Sequence, residues 1–140
     1  MKKKNIVILG AGFGGMYVYK SLSKKTRKNN TITLIDKNNH FLFTPLLHEV
    51  ATGSLSMNQV VEPIRSLICP QTNFVHSEIV SIDTDKKIVT TKTKNIPYDI
   101  LISSLGSRSY YFNTPIIASE LIIKPTKFDK TTDTLSLIIN

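Results

Sequence analysis

Glycine residues and one aspartate near the start of the chain have the spacing of a phosphate-binding turn. Gly10, Gly12 and Gly15 follow the apolar run at residues 6–9, and Asp36 ends a second apolar run. Gly10 suits a tight turn, Gly12 allows a pyrophosphate to approach the backbone, and Gly15 allows close helix–strand packing. A carboxylate at the end of the second strand can accept hydrogen bonds from ribose hydroxyls. The pattern therefore predicts a dinucleotide-binding βαβ unit.

The sequence on either side of these residues predicts the strand and helix that must position them. Residues 6–9 are aliphatic, and three of them are β-branched. Such a run is typical of a parallel strand that is buried on both faces. A helix is predicted from about Gly14 to about Lys25, with free N–H groups and the positive dipole end toward the phosphates. The alternative is a glycine-rich turn without a ligand. A strand before the turn, a helix after it and an acid beyond disfavour that alternative.

After Asp36 the pattern departs from a dehydrogenase, which would continue with a crossover helix and a third parallel strand. Short helices are predicted at residues 46–51, before Gly53, and at 58–68, with Pro63 disturbing the centre of the second or starting it. We expect an α/β, Rossmann-like domain with a β-hairpin insertion. The predicted strands are residues 73–76, residues 79–82 and 88–91 as a hairpin, residues 100–102, and, as further candidates, residues 121–123 and 135–139.

Composition indicates one globular domain of 140 residues with a net charge of +8. No apolar run approaches the ~20 residues that span a bilayer, so a cytoplasmic location is expected. Residues 1–30 contain Lys and Arg but no Asp or Glu. A solvated basic face, an anionic membrane surface and a nucleic acid are the alternatives for this charge. No nucleic-acid partner is predicted, because no aromatic platform or nucleic-acid motif accompanies it.

Cys69 is the one cysteine of the sequence. It excludes an intrachain disulfide, a metal site or redox pair of C-x-x-C type, and flavoenzymes that pass electrons through a cysteine pair. We expect Cys69 to be a small buried hydrophobic residue. No metal site is predicted.

Three blocks of sequence, taken together, carry a family resemblance. They are residues 8–15, residues 33–37 with 40–47 and 50–53, and residues 98–102 with 105–107 and 111–112. The first block is common to many flavoproteins and NAD enzymes, whereas the second is much more specific. Over about residues 5–112 the chain resembles the N-terminal part of type II NADH:quinone oxidoreductases, which are single-chain flavoproteins with two dinucleotide-binding domains.

The resemblance implies that the first glycine fingerprint binds FAD, while NADH, the family's co-substrate, uses a later fingerprint that this sequence lacks. The residues that would hold the FAD pyrophosphate are Gly10, Ala11, Gly12, Phe13, Gly14 and Gly15. Asp36 would hold the adenosine ribose, with Lys37 beside it.

Other implied contacts lie further along the chain. The backbone of Val80 would meet the adenine, Thr44 and Pro45 would lie near the isoalloxazine, and Gly106 would lie where the return strand passes the cofactor. Two of these have equally plausible other roles. Val80 is also expected of a core strand, and Thr44 with Pro45 could simply shape a loop. Residues 103–104 depart from the family, which usually has alanines before that glycine.

The implied reaction is hydride transfer from NADH to the flavin, followed by two-electron transfer to a quinone. No catalytic residue is predicted, because no NADH pocket and no quinone pocket is recognised. Residues 1–112 are expected to form an incomplete, N-terminal part of a FAD-binding domain that is inactive alone, and residues 113–140 a divergent tail. The alternatives are a non-catalytic nucleotide-binding module and a remnant of a disrupted gene. Expected partners are FAD, the missing half of the enzyme or a second copy, and the cytoplasmic face of the inner membrane.

Overall fold

The computed structural model describes residues 3–109 and 126–127. Short 3-10 turns occupy Thr44–Leu46 and Met57–Gln59. The α-helices and β-strands are, in chain order, β1 (Asn5–Leu9), α1 (Phe13–Ser21), α2 (Lys24–Asn29), β2 (Thr31–Asp36), β3 (His40–Leu42), α3 (Leu47–Ala51), β4 (Val61–Pro63), α4 (Ile64–Leu67), β5 (Asn73–His76), β6 (Ile79–Asp83), β7 (Ile88–Thr91), β8 (Asn95–Pro97), β9 (Ile100–Ser103), β10 (Arg108–Ser109) and β11 (Thr126–Lys127).

A parallel sheet with the strand order β5-β2-β1-β9 forms the centre of the domain. Ile8 of β1 lies opposite Leu34 on one side and Ile102 on the other. Because all four strands run in the same direction, their carboxyl ends meet at one edge of the sheet. The chain reaches that edge at the glycine turn, at Asp36 and at the end of β9. The predicted α/β, Rossmann-like class is confirmed.

The two faces of the sheet are covered by different elements. Ile6 and Ile8 pack with residues of α1 and α4 on one face, in a cluster that includes Met16 and Tyr19. Val7 and Leu9 point to the other face and pack against the sheet β6-β7-β8. Burial on both faces explains why β1 is apolar at consecutive positions.

The predicted continuous helix from Gly14 to Lys25 is wrong at Leu22 and Ser23, where the structure separates two helices. α1 ends at Ser21, and Leu22 has extended backbone angles. The Ser23 side chain accepts a hydrogen bond from the Thr26 N–H at 3.0 Å and so caps α2. Serine is favoured at a helix N-cap because its hydroxyl binds an otherwise free N–H. The basic residues beyond Ser23 therefore lie on a separate helix.

The segment after Asp36 is partly as predicted. α3 confirms the helix at residues 46–51, and Gly53 beyond it has a φ of +78°. The helix predicted at 58–68 is wrong over Val61–Pro63, which is strand β4 paired antiparallel with β3. Pro63 starts α4 as its N-cap, which is one of its two predicted roles. Three residues are too few for their period to distinguish a strand from a helix, and here pairing with β3 decides.

The predicted hairpin is confirmed by the antiparallel pair β6 and β7, to which β8 adds a third strand. β9 confirms the predicted return strand, and β10 pairs with β11. The strands predicted at residues 121–123 and 135–139 lie outside the described residues. Within the described part of the chain, no helix combines the length and apolar character needed to cross a bilayer.

The turn of the hairpin carries an acid whose ionisation stabilises it. Asp83 accepts the Lys86 N–H at 2.8 Å, and the Lys86 ammonium lies 3.5 Å away. That N–H, and then the ammonium charge, lower the pKa of Asp83 below its ordinary value of 3.8. Because the folded pKa is depressed, the stabilisation is present above pH 3.8 and is lost as the pH falls through the folded pKa. A carboxyl titration followed by NMR should give a midpoint below 3.8, and a midpoint above it would contradict the assignment.

A buried hydroxyl joins α1 to the loop before β5. Tyr19 is 1% exposed, and its hydroxyl lies 2.8 Å from the Thr72 hydroxyl and accepts the Cys69 N–H at 2.8 Å. Cys69 itself is partly buried, not fully buried as predicted.

Replacing Tyr19→Phe should destabilise the fold by about 1–3 kcal/mol, because it leaves the Thr72 hydroxyl and the Cys69 N–H unpaired. Urea unfolding followed by circular dichroism measures the change. Tyr17→Phe is the matched control, because Tyr17 is 66% exposed on the same helix. Equal effects of the two substitutions would show that the hydroxyl network contributes nothing.

Candidate functional site

A cleft of about 970 Å³ opens at the carboxyl edge of the sheet. It lies where the glycine turn enters α1, beside the ends of β2 and β9 and beneath β6. The lining residues are Gly10, Gly12, Phe13, Gly14, Asp36, Lys37, Asn38, Thr44, residues 77–82 and residues 104–107. In open parallel sheets, ligands bind at this edge, in the crevice beyond the carboxyl ends of the strands.

The glycines of the turn fall into two groups by what a side chain would meet. A Cβ on Gly10, which has a φ of +88°, would overlap the Ser104 carbonyl oxygen, and one on Gly15 would overlap the Gly10 carbonyl oxygen. These two glycines are therefore required by packing. A Cβ on Gly12 would meet no atom within 4 Å. The space beside Gly12, which lines the cleft, is thus free. A ligand that contacts the backbone at this point requires such a space.

Asp36 is fixed by backbone donors on both of its oxygens. One oxygen accepts the Ala11 N–H at 2.6 Å, and the other accepts the Asn38 N–H at 2.8 Å. The carboxylate thus ties the glycine turn to the end of β2. Because an ionised carboxylate offers about four lone-pair sites, each oxygen can still accept one further hydrogen bond.

The structure brings together most of the residues predicted from sequence. Those that line the cleft are Gly10, Gly12, Phe13, Gly14, Asp36, Lys37, Thr44, Val80 and Gly106. Ala11 is 2% exposed and Gly15 is buried beneath the turn, so neither lines the cleft. Ala11 acts through its N–H on Asp36, and Gly15 acts through close packing of α1. A direct ligand contact of these two residues stays a prediction.

Three predicted residues reach the cleft from distant parts of the chain. Val80 is 62% exposed on β6, which contradicts its interpretation as a core strand residue. Thr44 begins a 3-10 turn and is exposed. Gly106 has a φ of +74°, a conformation that glycine adopts without strain, and a Cβ there would meet no atom within 4 Å.

Two serines in the cleft were missed by the sequence analysis. The Ser104 hydroxyl donates to the Leu9 carbonyl at 2.6 Å and lies 3.2 Å from the Gly10 carbonyl, so it fastens β9 to the glycine turn. The departure from alanine at this position was the available signal. Ser77 is 8% exposed, and its hydroxyl has no hydrogen-bond partner among the described residues. No pattern in the sequence marks it.

An aromatic cluster forms the wall at the N-terminus of α1. The Phe13 ring lies 5.0 Å from the Phe41 ring and 5.4 Å from the Phe43 ring, measured between centroids. Phe13 and Phe43 remain 43% and 40% exposed. A second cavity of about 470 Å³ lies against this cluster and α1.

The parallel sheet, the glycine turn and the cleft at its carboxyl edge define a Rossmann-like α/β domain. The model of the pyridine nucleotide-disulphide oxidoreductase family matches residues 4–136. The chain therefore belongs to this family. The match extends past residue 112, and the domain boundary proposed there from sequence stays a prediction.

Individual relatives show which members of the family the chain is similar to. The chain is 34% identical over 127 residues to the external alternative NAD(P)H-ubiquinone oxidoreductase B4 of Arabidopsis thaliana mitochondria, covering 82% of this chain and 21% of that protein. It is 33% identical over 112 residues to the type II NADH:quinone oxidoreductase of Staphylococcus saprophyticus, covering 79% and 28%. The structure of NDH2 from Plasmodium falciparum in complex with NADH superposes with a TM-score of 0.74 and 28% identity, covering 84% and 25%.

These relatives confirm the resemblance to type II NADH:quinone oxidoreductases. The chain spans between 21% and 28% of the length of the relatives described above.

Proposed function

We propose that the chain binds FAD in the carboxyl-edge cleft and forms the FAD-binding portion of an NADH:quinone oxidoreductase. One observation carries the proposal: the cleft unites Gly12, Asp36 and Val80, which are far apart in sequence. The relatives named as NADH or NAD(P)H quinone oxidoreductases support the reaction class. Bound FAD would accept a hydride equivalent and pass two electrons on, whereas the residues of this chain bind and orient its adenosine diphosphate part.

The glycine turn supplies the donors for a pyrophosphate. The first N–H groups of α1 have no partner within the helix, and those of Phe13 and Gly14 belong to residues that line the cleft. The positive end of the helix dipole adds to their attraction for an anion. The open space at Gly12 allows phosphate oxygens to reach these donors.

Asp36 and Ser77 supply the remaining polar contacts. Asp36 is held by two N–H groups and still offers one lone pair on each oxygen, as a ribose diol requires. The Ser77 hydroxyl is buried at the cleft without a partner among residues 3–109. A buried hydroxyl without a hydrogen bond is costly, so a polar group of the ligand would relieve it. The residues present thus fit the adenosine diphosphate portion of FAD.

Flavin retention tests the proposal. The 140-residue chain is incubated with FAD, free flavin is removed by gel filtration, and the visible spectrum is recorded. We expect about one flavin per chain, and no retention of riboflavin, which lacks the pyrophosphate and adenosine that the cleft recognises. A folded chain that retains no FAD would overturn the proposal. Retention of NAD⁺ in preference to FAD would assign the cleft to a different dinucleotide.

A non-catalytic FAD-binding module is the second candidate, because the chain spans only 21–28% of these relatives. NADH oxidation with a soluble quinone, measured on the FAD-loaded chain, separates the two candidates. Turnover would support an oxidoreductase in its own right. Retained flavin without turnover would support a module that needs a further polypeptide.

The edge of the central sheet offers a place for such a polypeptide. Within the described residues, β9 pairs with β1 alone, and Ile100 on this edge is 40% exposed. An apolar edge strand without Lys or Pro is open to pairing with another strand. We propose that either the remaining part of the enzyme or a second copy pairs there. Sedimentation velocity of the chain would show the second copy as a dimer.

A further inference from the structure

A third cavity, also a cleft, lies at the opposite, amino-terminal edge of the sheet and shares no lining residue with the carboxyl-edge cleft. It has a volume of about 730 Å³ and is lined by the basic residues Lys3, Lys24, Arg27 and Lys28, with no acidic residue in the lining. Five of the seven other lining residues have polar side chains, Thr72 and Asn73 among them. The volume falls within the range of about 300–1,000 Å³ that is usual for small-molecule sites.

The helix α2 concentrates positive charge on this cleft. Lys24, Arg27 and Lys28 are spaced three and four residues apart, which places them on one face of the helix. Lys24 and Lys28 repel each other at the i, i+4 spacing, and the first turn of α2 has no acidic residue to offset them. This repulsion opposes folding, and a bound anion would relieve it.

Among the residues that the structure describes, no ion pair neutralises the cations of the cleft. Within residues 3–109, no ion pair involves Lys3, Lys24, Arg27 or Lys28. No acidic residue close in sequence offsets this charge, because residues 1–30 contain no Asp or Glu.

A hydrogen-bonded network around the buried Tyr19 lies beneath the cleft, behind its lining residues. The Arg27 guanidinium lies 5.4 Å from the centroid of the Tyr19 ring, which holds it by a cation–π contact. The Tyr19 hydroxyl is bonded in turn to Thr72 and to the Cys69 N–H. Arg27 is therefore supported from below, and its fork of N–H donors is partly ordered before any ligand arrives.

We infer that this cleft binds a phosphate-bearing anion. Guanidinium and ammonium groups that converge without acidic neighbours are the groups that recognise phosphate oxygens. A nucleic acid is less well matched, because the lining contains no aromatic side chain on which a base could stack. The inference is independent of FAD binding at the carboxyl edge. The same chemistry is offered by a free phosphate compound and by the headgroup of an acidic lipid.

Inorganic pyrophosphate is the first probe. It is titrated into the ¹⁵N-labelled 140-residue chain in phosphate-free buffer at low ionic strength. We expect amide shifts at Arg27, Lys28 and Thr72, separable from any shifts at Gly12, and weaker binding as salt is raised. The variant Lys24→Gln/Arg27→Gln/Lys28→Gln should lower the affinity at the cleft at least about tenfold.

Two further variants keep the test interpretable. Lys86→Gln/Lys87→Gln/Lys94→Gln removes the same charge from residues outside the cleft and should retain the shifts at Arg27 and Thr72. Lys24→Gln/Lys28→Gln leaves the Arg27–Tyr19 contact intact and serves if the triple variant does not fold. Equal loss in the cleft variant and in its remote counterpart would overturn the inference, because it would show only diffuse attraction.

Lipid vesicles distinguish the source of the phosphate. Sedimentation with phosphatidylcholine vesicles that contain phosphatidic acid, but not with pure phosphatidylcholine, would assign the cleft to a lipid headgroup, provided that the cleft variant abolishes it. Pyrophosphate binding without vesicle binding would assign it to a free phosphate compound. No amide shift at the cleft with pyrophosphate, together with no sedimentation with the acidic vesicles, would refute the inference. Tighter binding of a single-stranded oligonucleotide, lost in the cleft variant, would assign the cleft to nucleic acid instead.

Discussion

Gly15→Ala is expected to destabilise the fold more than any other single substitution proposed for this chain. A Cβ at this position would overlap the Gly10 carbonyl oxygen and lie 2.8 Å from the Ser104 hydroxyl oxygen. The first of these neighbours is backbone and is held by the sheet, so α1 must move away from β1. We expect a loss of about 3 kcal/mol or more, against a total stability of about 5–15 kcal/mol for a typical domain. Urea unfolding followed by circular dichroism measures it.

Gly12→Ala is the matched control, because the same added methyl group would meet no atom within 4 Å. This variant should keep its stability to within about 1 kcal/mol. Its FAD retention should nevertheless fall, since the methyl group occupies the space through which a pyrophosphate reaches the helix N-terminus. Similar unfolding midpoints for the two variants would contradict the structural roles assigned to these glycines.

Asp36→Ala is expected to weaken both the fold and flavin binding. The substitution leaves the buried Ala11 N–H without its acceptor and frees the Asn38 N–H. Loss of hydrogen bonds to a charged acceptor should cost about 1.5–3 kcal/mol of stability. FAD affinity should fall at least about tenfold, because the ribose loses its acceptor and the glycine turn loses its tie to β2. Urea unfolding and fluorescence titration with FAD measure the two effects separately.

Two comparisons sharpen this result. Asp36→Asn retains one oxygen, which can accept from one of the two backbone donors, so intermediate stability is expected. Asp85→Ala removes an exposed acid from the β6–β7 turn and should change neither quantity. Unchanged FAD affinity in a folded Asp36→Ala variant would show that this carboxylate is not part of the proposed site. The role of the glycine turn would then be tested by Gly12→Ala alone.

Local pattern in the sequence was sufficient for the elements around the first cleft. The aliphatic run of β1 and the glycine spacing predict the strand, turn and helix, because each depends on residues close in the chain. The polar turn between β6 and β7 likewise predicts the hairpin. The positions of Gly12 and Asp36 at one edge follow once the strands of the βαβ unit are taken as parallel. The place of Val80, on the antiparallel strand β6, came from the resemblance.

Sequence reasoning failed where pairing with distant residues decides. Val61–Pro63 became strand β4 because β3 pairs with it, whereas three residues are too few for their own pattern to indicate a strand. Val80 was taken as a possible core residue, since alternation along a strand does not say which face is covered. The role of Ser104 depends on the carbonyls of Leu9 and Gly10, nearly the whole described chain away.

The sequence by itself determined the ligand-binding fingerprint and the family, because both reside in contiguous motifs whose chemistry is local. Only the tertiary structure decided which glycines are required by packing and which leave space for a ligand, because that depends on backbone atoms of Ser104, just after β9, and of the turn itself. The tertiary structure alone also showed that basic residues from the lysine-rich start of the chain line a cleft. Lys3, the α2 cations and Thr72 meet there because the parallel sheet brings the amino ends of its strands to one edge.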